Sequence, residues 1–144
     1  MYKDFGLLIS GKWQSASNQE VISVVSPVTE QLIGTIPAAT RDDIKRTLVN
    51  CQQAGVEWKK TSAWSRAAVL RRTADLIRSH VDEIAKIMST ETGKPLVEAK
   101  AEAGASADQF EWYSEEGKRA YGQIIPARLS DERLSVIYQP VGPC

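Results

Sequence analysis

Apolar positions along this chain change their spacing near Thr40. Before it short segments of strand character, Leu7 to Ile9, Lys12 to Gln14, Val21 to Val25 and Leu32 to Ile36, are separated by Gly11, the stretch Ser15 to Gln19, and Pro27. Runs of that length bounded by turn formers predict strands, so small β-hairpins are expected up to about Pro37. From Thr40 onward the spacing becomes three and four. Ile44, Leu48, Cys51 and Gly55 share a face, Thr40 can cap it, and Asp42 and Asp43 suit the positive end of a helix dipole, which predicts a helix to about Val56. Ser62 can cap a second helix with the buried stripe Ala63, Ala67, Leu70, Ala74 and Ile77. A third, after His80, uses Val81, Ile84, Ala85 and Met88 and stops at Gly93. Pro95 then falls in the first turn of a long fourth helix, where its missing N–H costs nothing. Leu96, Ala99, Ala103, Ala107, Phe110 and Tyr113 mark the inner face of that helix, which is expected to run to about Gly122. The last segment pairs as a hairpin, Gln123 to Leu129 against Arg133 to Gln139, around the turn residues Ser130, Asp131 and Glu132.

The expected fold of these residues is therefore mainly α: four helices, N-terminal β-hairpins and a C-terminal β-hairpin. A chain of 144 residues fits one domain and can bury roughly 68–70% of its unfolded surface. The ending changes that picture. Leu134, Val136, Ile137 and Val141 form an apolar run that must pair and be covered, so the chain reads as a fragment whose cover lies further on, and dimers, swapped strands or aggregates are expected of it alone.

Charge excludes two partner classes. Eighteen basic and eighteen acidic side chains cancel, leaving no field to gather nucleic acid or an anionic membrane. The basic pairs Arg71 with Arg72 and Lys59 with Lys60 have acids nearby in sequence and read as solvated surface. The run from Leu7 to Ile9 is too short for a membrane or signal segment, and a reducing, cytoplasmic setting is the default.

Candidate chemistry is sparse. The nine glycines are never two apart, so no G-x-G phosphate loop exists here, and the P-loop signature is equally missing. Two distant cysteines and one histidine make no disulfide framework and no zinc or haem ligand cluster. A nucleophile needs an activating base. His80 falls at a helix junction and reads as a capping or surface residue. Cys144 lies on an extended stretch after Gly142 and Pro143, with no cation or helix N-terminus near in sequence to lower its pKa, and is expected as a small buried side chain. Cys51, on the apolar stripe of its helix, has the same reading. Glu98 and Glu102 are four apart and repel weakly on one helical face, with Lys94 and Lys100 close by, which favours a solvated face. The alternative is that the row Glu102, Ser106, Phe110 lines a passage to a site built by other chain. Trp112 and Tyr113 read first as core.

Three ordered segments carry a resemblance: Thr90-Glu91-Thr92-Gly93-Lys94-Pro95, then Glu98-Ala99-Lys100-Ala101-Glu102, then Tyr138-Gln139-Pro140-Val141-Gly142. Together with Ile9-Ser10-Gly11-Lys12-Trp13, Ser26-Pro27 and the stretch Arg66 to Ile77, they resemble the N-terminal part of the aldehyde dehydrogenase superfamily over essentially the whole chain. Phe110 to Arg119 looks most like the succinate-semialdehyde dehydrogenase branch. The resemblance implies an α/β parent fold. It also implies a parent that oxidises an aldehyde, succinate semialdehyde being one candidate, to its acid with NAD or NADP through a cysteine thiohemiacetal, hydride transfer and thioester hydrolysis. The family's nucleophile, general base and cofactor-binding turn fall later than these residues, so the chain itself is expected to be inactive, with no catalytic and no cofactor-binding residue and no cofactor bound. The resemblance further implies that residues 1–122 belong to the cofactor-binding domain. Residues 123–144 would begin an oligomerisation arm that pairs with another copy. Backbone carbonyls at Val24 and Glu91 match positions that hold a structural monovalent cation in some members, and Glu102 and Ser106 match positions flanking the substrate entrance. The competing reading is a stand-alone helical module that binds protein through its long helix and hairpin edge.

Overall fold

The computed structural model describes residues 6–144. Its first strands, β1 (Leu7–Ile9) and β2 (Lys12–Gln14), form an antiparallel hairpin in which Leu8 faces Trp13. The connecting pair Ser10 and Gly11 has φ of 54° and 73°. Two consecutive positive φ values make the tight turn whose twist matches that of the strands. The second hairpin pairs β3 (Val21–Val25) with β4 (Leu32–Pro37), Ile22 opposite Ile36, with a bulge between Val24 and Val25. Ser26 closes its loop: the buried hydroxyl accepts the N–H groups of Val28 and Thr29, each at 3.3 Å, while its own N–H donates to Gln31 at 2.9 Å.

Four helices follow: α1 (Arg41–Lys60), α2 (Ala63–Ser79), α3 (Val81–Thr92) and α4 (Leu96–Glu116). Each boundary has a local cause. Thr40 and Asp43 form a reciprocal capping box at the start of α1. Ser62 accepts the Ser65 N–H at 3.1 Å at the start of α2. Gly93 ends α3 in the left-handed region at φ 73°, a conformation that suits glycine at a helix terminus. Pro95 stands immediately before α4, its carbonyl accepting the N–H groups of Glu98 and Ala99 at 3.0 Å.

α4 packs against both α2 and α3. The seam is made of small side chains: Ala67 and Ala74 on α2, Ala85 on α3, and Ala99, Ala103, Ala107 and Ser114 on α4 are all buried. Alanine allows the helix axes to approach closely, at the cost of burying little apolar area per residue. Among the described residues, the largest side chains that are fully buried are Asp43 and Ser114.

Several boundaries and faces differ from the sequence expectation. α1 continues one turn past Val56, where Lys59 and Lys60 complement the negative end of the helix dipole. α4 stops at Glu116, not Gly122. The reason is steric: a Cβ on Gly122 would lie 2.2 Å from the Val136 carbonyl oxygen, so this backbone already runs against the next strand and must have left the helix. The C-terminal hairpin, β5 (Gln123–Ile125) with β6 (Leu134–Val136), is shorter than expected. Pro126 supplies no N–H to extend the ladder. On α4, Leu96, Phe110 and Tyr113 lie outside the seam and are exposed, Ser114 taking the last buried position, because a seam of alanines has no room for aromatic rings. Cys51 and Cys144 are both exposed, contrary to their expected burial. Among the described residues no other element packs extensively on the stripe of α1 that carries Cys51, and no strand pairs with the chain beyond β6.

Candidate functional site

The row Glu102, Ser106, Phe110 has a spacing of four and runs along one side of α4, one position ahead of the buried Ala103 and Ala107. Burying those alanines rotates the row toward solvent. Phe110 remains 38% exposed. The Ser106 hydroxyl donates to the Glu102 carbonyl at 2.9 Å, so it is spent on the helix backbone. The Glu102 carboxylate pairs with the Lys94 ammonium at the head of the helix. The face therefore combines a neutralised acid, a small hydroxyl residue and an aromatic ring. It can shape a passage, and it holds no activated nucleophile.

Two cation-ligand candidates sit on neighbouring pieces. Val24 is half-buried in β3 opposite Gly34, just before the bulge, and Glu91 lies in the last turn of α3 with its side chain exposed. The loop after β3 comes against the end of α3: a Cβ on Gly93 would lie 3.0 Å from Val28 Cγ2 and 3.4 Å from Pro27 Cγ. The last carbonyls of a helix lack intrahelical partners and carry its negative pole, which suits a hard cation. Among the described residues, no group of three or more His, Cys, Asp or Glu side chains could hold a metal ion.

The reactive side chains stay apart. Cys144 donates to the Gly142 carbonyl at 3.7 Å. Cys51 is on α1. His80 is the joint of α2 and α3; its Nδ1 hydrogen-bonds the Glu83 carboxylate at 3.3 Å, and its ring does not cap the backbone N–H groups of α3.

The strongest polar architecture was not visible as chemistry in the sequence. Arg71 and Arg78 on α2 pair with Glu111 on α4, and Arg78 also reaches Asp108 at 2.8 Å, thirty positions away. Arg71 thus belongs to an ion ladder between helices, not to a solvated patch paired with acids near in sequence. The hydrogen bond from Arg78 is the main reason that the Glu111 carboxyl titrates below its usual range. Lys100 on α4 grips Asp82 on α3 at 2.7 Å and lowers that carboxyl likewise. A cation–π contact, Lys118 Nζ at 4.9 Å from the Trp64 ring centroid, joins the end of α4 to the start of α2. The seven-residue spacing of Arg71 and Arg78, facing acids three and four apart, was the available signal.

The fold has close solved counterparts. The crystal structure of an Escherichia coli NADP-dependent enzyme superposes with a TM-score of 0.90 at 39% identity, covering 92% of this chain and 27% of that one. Residues 13–144 match the aldehyde dehydrogenase family, and the chain belongs to that family. It is 40% identical over 135 residues to the NADP(+) succinate-semialdehyde dehydrogenase of Escherichia coli strain K12, which covers 94% of this chain and 28% of that protein. It is 41% identical over 134 residues to the glutarate-semialdehyde dehydrogenase of Pseudomonas putida, covering 93% of this chain and 28% of that protein. The chain thus spans about 28% of the length of these curated relatives. No helix among the described residues is long and apolar enough to cross a membrane.

Proposed function

We propose that these residues are the N-terminal part of an NAD(P)-dependent aldehyde dehydrogenase of the cytoplasm that oxidises a semialdehyde, succinate semialdehyde being the leading candidate, to its carboxylic acid. The single observation that carries this reading is the match over residues 13–144 together with about 40% identity to semialdehyde dehydrogenases. The nicotinamide cofactor, when bound by the parent enzyme, accepts the hydride. No residue of this chain is assigned to it, because no G-x-G loop lies here.

The chain's own contribution is positional. Residues 1–122 build a helical layer of the cofactor-binding domain, with α4 held in register by its alanine seam and by the Arg78 and Lys100 ion pairs. Glu102, Ser106 and Phe110 border the substrate entrance, where Lys94 keeps Glu102 from presenting a bare negative charge to an anionic semialdehyde. The carbonyls of Val24 and Glu91 contribute to a monovalent cation site; their oxygen chemistry and the close approach of Gly93 to Val28 support this. Residues 123–144 begin an arm that pairs with a second copy. In support, the β5–β6 hairpin packs extensively on no other element among the described residues and leaves Ile124 91% exposed.

The experiment is a chimera in which these residues replace the matching segment of the Escherichia coli relative. Aldehyde-dependent reduction of NADP is expected from the chimera and not from the 144-residue chain alone. Turnover by the chain alone, or a folded chimera without turnover, would contradict the reading.

A further inference from the structure

The row Glu102, Ser106, Phe110 and the ion pairs of α4 stand on opposite flanks of one seam. Glu102 and Ser106 come one position before the buried Ala103 and Ala107, whereas Lys100 and Asp108 come one position after the buried Ala99 and Ala107. One position turns a helix by about 100°, so the first pair points to one side of the alanine seam and the second pair to the other. Phe110 continues the first flank and Glu111 the second. On that second flank α4 is tied to both of its neighbours. Lys100 reaches Asp82 on α3 at 2.7 Å. From α2, one guanidinium nitrogen of Arg78 holds Asp108 at 2.8 Å and Glu111 as well, while Arg71 also holds Glu111 and reaches Glu115 at 3.8 Å. The pair on the first flank, Lys94 with Glu102, comes from the turn just ahead of α4 and joins it to no other helix.

A seam of alanines offers no large knob to lock one helix against another, and a helix that rolls on it keeps nearly the same buried area. Directional contacts at the rim then set the roll. A guanidinium is a planar fork that fixes direction as well as distance, and Arg78 spans two acids one turn apart on α4. A roll of about 10° carries a side-chain tip lying about 5–6 Å from the helix axis through about 1 Å. Because the helix turns as one body, the tips on the opposite flank move equally.

We propose that Arg78 is a positioning residue for the substrate entrance: by holding Asp108 and Glu111 it sets the roll of α4, and with it the width of the passage bordered by Glu102, Ser106 and Phe110. The inference rests on the reading of that row as an entrance and adds the device that aims it. Arg78 touches no substrate, and α4 carries its effect across the seam. The Asp108 side chain is 73% exposed and that of Arg78 39%, so dissolved ions reach the pair and loosen it, which makes the width of the entrance depend on ionic strength.

The test uses the chimera described above with a bulky uncharged aldehyde, so that salt acts on the protein and not on the substrate, and with a small aldehyde as control. Arg78→Met should change KM for the bulky aldehyde several-fold and leave kcat for the small one within about twofold. Arg78→Lys, a point charge without the fork, should recover part of the change. Phe110→Ala should change the same KM, and the double variant should fall short of the product of the two single effects, because both act through one row. Rising salt should move KM of the unmodified chimera toward that of Arg78→Met, whose own KM should stay level. Asp108→Asn alters an exposed side chain and leaves Glu111 in place, so it should keep the melting curve of the chimera and shift KM the same way by less. Unchanged KM in Arg78→Met and Asp108→Asn, effects that multiply with Phe110→Ala, or an equal fall in kcat for every aldehyde would overturn the proposal. If Phe110→Ala leaves KM unchanged, the entrance reading fails and the proposal with it. If Phe110→Ala changes KM and the Arg78 and Asp108 variants do not, positioning alone fails and the entrance reading stands.

Discussion

Asp43 and Ser17, twenty-six positions apart, are joined at one carboxylate oxygen: Asp43 Oδ2 accepts the Ser17 backbone N–H at 3.1 Å and its hydroxyl at 3.2 Å. The same oxygen accepts the N–H and hydroxyl of Thr40 at 3.0 and 2.9 Å, while Arg46 donates to Oδ1 at 2.8 Å. A helix cap has thereby become the tie between the segment that follows the first hairpin and α1.

The tie should be lost in acid. The N–H of Thr40, then that of Ser17, holds the Asp43 carboxyl down to about 2 from its ordinary 3.8. A carboxyl whose folded pKa is depressed contributes stability that is complete above its unfolded value and is lost as pH falls through the folded value. Melting temperature in the wild type should therefore drop from about pH 4 to about pH 2, and Asp43→Asn should flatten that segment of the profile. Thr40→Ala, which removes the other half of the cap, should cost about 0.5–2 kcal/mol in urea unfolding.

Gly93 turns α3 into α4 with a left-handed φ of 73°, and a Cβ there would crowd Val28 Cγ2 at 3.0 Å. Gly93→Ala should destabilise the fold by about 1–2 kcal/mol from the left-handed backbone alone. Gly93→Asn should cost less, because asparagine tolerates that region. Chemical denaturation of the two variants gives the comparison.

The alanine seam should resist enlargement. Ala103→Leu places a larger side chain where α4 meets its neighbours, and about 1–3 kcal/mol of destabilisation is expected from thermal or urea melts. Leu48→Asp, on the open face of α1, should leave the same melts nearly unchanged.

The α2–α4 ladder is accessible to salt. Arg78→Met removes the partner of Asp108 and Glu111, and the resulting loss of stability should be modest and should shrink as ionic strength rises. Glu111 titrates below its usual value mainly because of Arg78, so the ladder's contribution is present above the ordinary glutamate range and fades as pH falls beneath it. A salt series at neutral pH and another in acid separate the two effects.

In the chimera, the entrance row can be read from kinetics. Phe110→Ala and Glu102→Gln should change KM for bulky or anionic aldehydes several-fold while leaving kcat for a small aldehyde within about twofold, since residues that touch only the approach alter uniform binding. An equal fall in kcat for every aldehyde would remove the row from that role.

Much of this fold was legible because its local signals agree. Strand limits followed from short apolar runs between Gly11, Ser15 and Pro27, and helix starts followed from Thr40 and Ser62. The misassigned apolar faces share one cause. Pattern reading assumes that an apolar stripe finds its partner among the residues at hand, which fails for Ile44 and Leu48 on α1 and for Phe110 and Tyr113 on α4. The end of α4 was set by Gly122 lying against β6, a contact with no sequence signature. The ion ladder was missed because charges were paired by nearness in sequence, whereas Arg71 finds Glu111 forty positions on. For the site, family motifs carried the reading, since in the described residues the Cys144 thiol meets only the Gly142 carbonyl and the His80 ring pairs with Glu83, not with a thiol.

The most direct measurement removes both thiols at once. In the chimera with the Escherichia coli relative, Cys51→Ser with Cys144→Ser should reduce NADP with an aldehyde at close to the rate of the unmodified chimera, because these residues supply shape and no reacting atom. Loss of turnover in a variant that folds and assembles normally would show that the chemistry runs through this chain after all.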